Sequence, residues 1–198
     1  MTDVDTFDAL VQHFASPDDW ARLEAHLQRG AMSLRDVLAA QANFVRGPID
    51  EADLILAEST RVDPAFKSFV ERCKREAVGL TIVSSGIAPL IERALARNGV
   101  RGVPVLANEV TPAGDGWVMH FRDDSANGHD KAAAVRAAAA GEKTVAYVGD
   151  GFSDFDGALE AQIRFAKRGR SLERFLRERG VSFTPFTSFA EVEKALFP

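Results

Sequence analysis

A single cysteine, Cys73, stands in the 198-residue chain, so no disulfide closes within it and a cystine-stapled scaffold is excluded. Long apolar runs are also missing. No stretch approaches the roughly 20 residues that cross a bilayer as a helix, and the opening MTDVDTFDAL has neither the basic start nor the apolar core of a secretory signal. Excess positive charge is absent too: 24 Lys and Arg face 29 Asp and Glu, a formal net charge of −5. Such a surface is not built to neutralise nucleic acid or an anionic membrane, and points instead to a small soluble partner. Repeats and low-complexity tracts are lacking. The expectation is a cytoplasmic protein with one core and an inserted subdomain, in which Cys73 is simply packed.

What is present changes character along the chain. Phe7, Leu10, Val11 and Phe14 lie at helical spacing, and Ser16-Pro17 supplies an N-cap followed by proline at the first helical position. Ser33 caps a third helix, Gly47-Pro48 breaks the chain, and Ile49 to Glu58 gives a fourth. Beyond Asp63-Pro64 helices alternate with short apolar runs: a helix to about Glu76, a strand over Leu80–Val83 expected to be buried on both faces, and a helix over Ala88–Asn98. Strands are then predicted over Val103–Ala107 and Trp117–Phe121, a helix from Lys131 to Ala140, and a strand over 144–148. Alternation of this kind predicts an α/β fold, a doubly wound parallel sheet. The helical segment 5–62 would be a cap, and 63–198 the core.

Three places carry chemistry. TVAYVGDGFSD is an apolar strand ending in Gly149-Asp150-Gly151, with a second carboxylate, Asp154, one turn into the next helix. Ligands bind open α/β sheets at such strand ends, and two carboxylates are what Mg²⁺ usually takes from a protein. The bland alternative is a polar turn with two helix-capping acids. LTIVSSG sets Ser84 directly after a strand and Ser85-Gly86 at a helix start, a phosphate cradle or an ordinary serine cap. Lys131 opens a helix after Asn127-Gly128-His129-Asp130, where an ammonium can reach a phosphate oxygen, although a lone lysine is normally a solvated charge.

The order SSG, lysine, strand-GDGFSD resembles motifs two, three and four of the haloacid dehalogenase superfamily. ANEV at 107–110 and the C-terminal RFAKRGRSLERFLRERGVSFTPFTSFAEV are similar to its phosphoserine-phosphatase-like branch, which includes the phosphatase acting on 2-hydroxy-3-keto-5-methylthiopentenyl phosphate. The resemblance implies a Rossmann-like core with a helical cap and a Mg²⁺-dependent phosphate-monoester hydrolase acting on a small phosphorylated metabolite. In it Ser84 would hydrogen-bond the phosphoryl group, with Ser85 and Gly86 beside it; Lys131 would neutralise it, Asn108 would line the site, and Asp150 would ligate Mg²⁺. Asp154 would be a second metal carboxylate or lie just behind one.

One motif of the pattern is not met. The family opens with an apolar strand ending in Asp-x-Asp-Gly-Thr, and MTDVDTFD aligns with the residues just past that motif, Met1 taking the apolar position after the threonine. In this register the nucleophile and the acid/base aspartate would lie upstream of Met1, and the first core strand, central between those carrying Ser84 and Asp150, would be missing. Truncation, marginal core stability and impaired turnover are the resulting expectations. Asp5 would match an acidic position near the cap that contacts substrate or water, and by itself reads equally as an N-cap. Asp3 and Asp5 as a substitute pair is the other register, with Thr6 one position early. Two function classes remain: the hydrolase, and a non-catalytic pseudophosphatase that binds phosphate or a partner. For the substrate, Arg35, Gln41, Asn43 and Arg46 are candidates, an arginine among them suiting a carboxylate.

Overall fold

The computed structural model describes residues 1–198 except 4 and 142, and the chain forms two compact units, Met1–His129 and Asp130–Pro198. The first unit opens with α1 (Thr6–Phe14), α2 (Pro17–Gln28), α3 (Leu34–Ala42) and α4 (Ile49–Ser59). Their starts come from local chemistry. Asp5 caps α1, Ser16 with Pro17 starts α2, and Ser33 with Asp36 forms a reciprocal capping box on α3. After α5 (Phe66–Arg75) come β1 (Ile82–Ile87), α6 (Ala88–Arg97), β2 (Val105–Ala113) and β3 (Gly116–His120). Cys73 is buried on α5.

Helices α1, α3 and α4 pack with the sheet of the first unit. Phe7, Leu10 and Val11 of α1 share one apolar cluster with Leu38, Ala52 and Leu56 of the next helices and with Ile87, Leu90, Val110 and Trp117.

Three local expectations are corrected. The strand predicted over Leu80–Val83 runs over Ile82–Ile87, so Ser84, Ser85 and Gly86 belong to it and the helix starts at Ala88. Between Val83, paired with Leu106, and Ile87, paired with Asn108, β1 spends four steps against two on β2, which bulges the serines out of register. Ile82 and Val83 are half-buried rather than enclosed, because β1 pairs with β2 alone among the described residues. Finally, β2 and β3 form an antiparallel hairpin, so the sheet β1-β2-β3 is mixed.

The second unit holds α7 (Lys131–Ala138), β4 (Ala146–Gly149), a 3₁₀ turn (Phe152–Asp154) and α8 (Phe155–Glu160). β5 (Ile163–Lys167), α9 (Ser171–Glu178), β6 (Thr184–Phe186) and α10 (Phe189–Leu196) complete it. Strands β4, β5 and β6 are parallel and adjacent in that order, as βαβ connections require. Asp154 therefore ends a 3₁₀ turn and precedes α8, instead of lying within the helix. Both units are α/β.

Candidate functional site

In the second unit three of the expected residues meet at the carboxyl end of β4. Asp130 caps α7 by accepting the Ala133 N–H at 2.7 Å, which fixes the first turn and sends Lys131 inward to 7% exposure. The Lys131 ammonium donates to Ser153 Oγ at 2.8 Å and to Asp154 Oδ1 at 2.6 Å. Asp154 is the hub. Its Oδ1 also accepts the Tyr147 hydroxyl at 2.8 Å, and its Oδ2 accepts the backbone N–H groups of Asp150 at 2.8 Å and Gly151 at 2.9 Å. Four donors on one buried carboxylate satisfy both oxygens, the condition under which such a charge is tolerated.

The two carboxyls titrate in opposite directions. Burial pushes Asp154 up, but the Lys131 ammonium and the Gly151 and Asp150 N–H groups outweigh it and hold Asp154 below the usual carboxylate range. Asp150 is displaced upward, first by desolvation and then by the negative charge of Asp154, while its side chain stays solvent-accessible. Its backbone is pinned on both sides: the N–H by Asp154, and the carbonyl by the Leu172 N–H at the start of α9, at 3.0 Å. Tyr147 is raised well above its ordinary value by burial and by Asp154.

This donor set fits Mg²⁺. Asp150 is an accessible carboxylate at a strand end, and Mg²⁺ characteristically takes one or two carboxylates while keeping waters and phosphate oxygens. No cluster of three or more His, Cys, Asp or Glu suited to a metal occurs among the described residues.

In the first unit the serine cradle is built on the β1 bulge. Ser84 Oγ accepts the Gly86 N–H at 3.0 Å. The Ser85 hydroxyl donates to the Asn127 carbonyl at 3.0 Å, and the Ser85 carbonyl accepts from Asn108 Nδ2 at 2.8 Å. Asn108, wholly enclosed at 0% exposure, also accepts the Arg122 N–H at 3.0 Å. Ser85 and Asn108 thus brace the strand end against the loop 121–129. Gly128 lets that loop approach: its φ is 74°, and a Cβ there would lie 2.6 Å from Leu38 Cδ1.

Asp5 accepts the N–H groups of Phe7 at 2.9 Å and Asp8 at 3.0 Å, a helix cap. Asp3 Oδ1 accepts the Arg61 N–H at 2.9 Å, and Thr2 bridges Val62 in antiparallel fashion; Val4, between the two acids, lies outside the described residues. The arginines that suited a substrate carboxylate are engaged. Arg35 donates to the Asp123 carbonyl at 2.5 Å, lies 3.7 Å from Asp124 and stacks 4.2 Å above the Phe121 ring. Arg46 donates to the Asn43 and Val45 carbonyls.

Sequence reasoning assigned no role to Tyr147 or Ser153. The available signal was a phenol inside the otherwise apolar TVAYV, since a buried hydroxyl needs a partner.

A family model described as haloacid dehalogenase-like hydrolase matches residues 1–159. The chain is 32% identical over 202 residues to Pdp3-interacting factor 1 of Schizosaccharomyces pombe, covering 97% of this chain and 88% of that protein. It is 31% identical over 175 residues to the polyol phosphate phosphatase PYP1 of Saccharomyces cerevisiae, covering 81% and 73%. Among solved structures, a phosphoserine phosphatase carrying a phospho-aspartyl intermediate analogue superimposes with a TM-score of 0.74 at 15% identity, over 98% of this chain and 92% of that one. The chain belongs to the haloacid dehalogenase-like hydrolases.

Proposed function

We propose that the protein is a Mg²⁺-dependent phosphate-monoester hydrolase for a small phosphorylated metabolite with an uncharged, hydroxyl-bearing alcohol part. The observation that carries the reading is the buried Lys131 ammonium, 2.6 Å from Asp154 Oδ1, beside the accessible Asp150 carboxylate at the end of a parallel strand. Asp150 would hold the ion, and Asp154 behind it fixes the loop that presents Asp150. Bound there, Mg²⁺ would supply positive charge to the oxygens of the transferring phosphoryl group. Lys131 spends two of its three hydrogens on Ser153 and Asp154, which leaves one to neutralise a phosphoryl oxygen. Ser84 offers its hydroxyl to an anion, while Asn108 acts through Ser85.

The uncharged alcohol is inferred from the guanidinium groups of Arg35 and Arg46, which already donate to backbone carbonyls. The name of the yeast relative, a polyol phosphate phosphatase, supports the same substrate class. Phosphate release from p-nitrophenyl phosphate, glycerol 3-phosphate and phosphoserine, with and without Mg²⁺, tests the reading. Mg²⁺-dependent release with glycerol 3-phosphate preferred is the expected result. Phosphate binding with no turnover of any substrate would replace the hydrolase by a phosphate-binding module, and release unaffected by chelation would remove the metal.

A further inference from the structure

The chain contains fourteen phenylalanines and one tyrosine, and that single phenol lies on β4 with its hydroxyl on the hub carboxylate. Two glycines hold the ring. A Cβ at Gly157 would stand 2.8 Å from Tyr147 Cε2 and 3.0 Å from Cζ, and one at Gly149 would stand 2.9 Å from Cε1. Real side chains do not approach so closely, so the strand end and α8 lie against the ring with only backbone between. A ring gripped in this way cannot swing, and its hydroxyl keeps one direction, toward Asp154 Oδ1 at 2.8 Å.

That oxygen is also the one on which Lys131 sits, at 2.6 Å. The other oxygen of the same carboxylate holds the N–H groups of Asp150 and Gly151. Rotation of the Asp154 carboxylate would therefore move the ammonium and the Asp150 loop together. With Tyr147 in place, Oδ1 has two donors arriving from different directions, one on β4 and one on α7, and rotation breaks at least one of them.

We infer that Tyr147 is a positioning residue: its hydroxyl, clamped through the ring by Gly149 and Gly157, sets the orientation of Asp154 and thereby the Mg²⁺ affinity of Asp150. The inference rests on the reading of Asp150 and Asp154 as the Mg²⁺ site. Tyr147 touches neither ion nor substrate in this role, and acts through a carboxylate whose partners hold the loop. Groups placed in this way behind metal-binding side chains typically change metal affinity by about 10–100-fold when removed.

The test is calorimetric titration of Mg²⁺ into the full chain and into Tyr147→Phe, which deletes one oxygen and keeps the ring. Val192→Ala, on α10 in the same unit and fully buried, serves as a control for general loss of stability, with thermal melting run on all three. The expected result is Mg²⁺ binding weakened about tenfold in Tyr147→Phe and unchanged in Val192→Ala, at a temperature where every protein is folded. Equal Mg²⁺ affinity of Tyr147→Phe and the parent overturns the positioning role while leaving the metal site standing. Equal weakening in Val192→Ala also overturns it, since the effect would then be loss of packing. A parent chain that binds no Mg²⁺ at millimolar concentration overturns the site reading and this inference with it.

Discussion

Removing Asp154 should damage the protein more than removing Lys131, although the two form one buried ion pair. Lys131→Met takes one donor from Asp154 and leaves three, the Tyr147 hydroxyl and the N–H groups of Asp150 and Gly151. Breaking a buried pair from one side typically costs about 3–5 kcal/mol, and the remaining donors place this case near the lower end, about 3 kcal/mol. Asp154→Ala instead orphans all four donors, each costing about 1–3 kcal/mol where water cannot reach it. If the accessible strand end lets water serve the two backbone groups, the tyrosine hydroxyl still goes unpaired, the buried lysine charge loses its counter-ion and keeps only Ser153 Oγ, and a cavity is added. The total is about 4–6 kcal/mol, a large part of the ~5–15 kcal/mol a domain has to lose. Urea denaturation and thermal melting, both monitored by far-ultraviolet circular dichroism, measure both variants. Lys131→Met should lower the melting point by about 6–12 °C at this chain length, with Asp154→Ala lower again or unfolded. An Asp154→Ala protein as stable as Lys131→Met would refute the view of Asp154 as a four-donor hub.

Arg35→Ala should cost about 1–2 kcal/mol through its lost contacts with Asp123, Asp124 and Phe121, and should slow release from phosphoserine and glycerol 3-phosphate by the same factor; a loss confined to phosphoserine would make it a carboxylate clamp. Glu24 has a folded pKa raised above its ordinary 4.5 by burial and then by the charges of Asp8 and Asp5. Its stabilising contribution is complete below 4.5 and is lost as pH rises through the raised value, so Glu24→Gln should melt higher at neutral pH and equally at pH 3.5 or below; a melting difference independent of pH counts against this.

The helix starts were legible in the sequence because they depend on neighbours within a turn: Asp5, Ser16-Pro17, Ser33 and Asp130 each cap the helix next to them. So was the α/β class, since alternation of helical and extended periodicity is a property of the chain itself. The residue kinds of the site, Ser84, Lys131, Asp150 and Asp154, stood out by motif and order. Their partners did not. The bulge that draws Ser84–Gly86 into β1 depends on the register against Leu106 and Asn108, 20 or more residues away, and the enclosure of Asn108 depends on a loop that returns to it at Arg122. Arg35 is one of four substrate candidates or a solvated helix face by sequence, because nothing in its own helix reveals that Asp123, 88 positions on, accepts from its guanidinium. Local sequence determined which helices begin where and which functional groups were on hand. Only tertiary contact decided which of them were already spent, because a hydrogen bond between distant segments leaves no period or spacing in the chain.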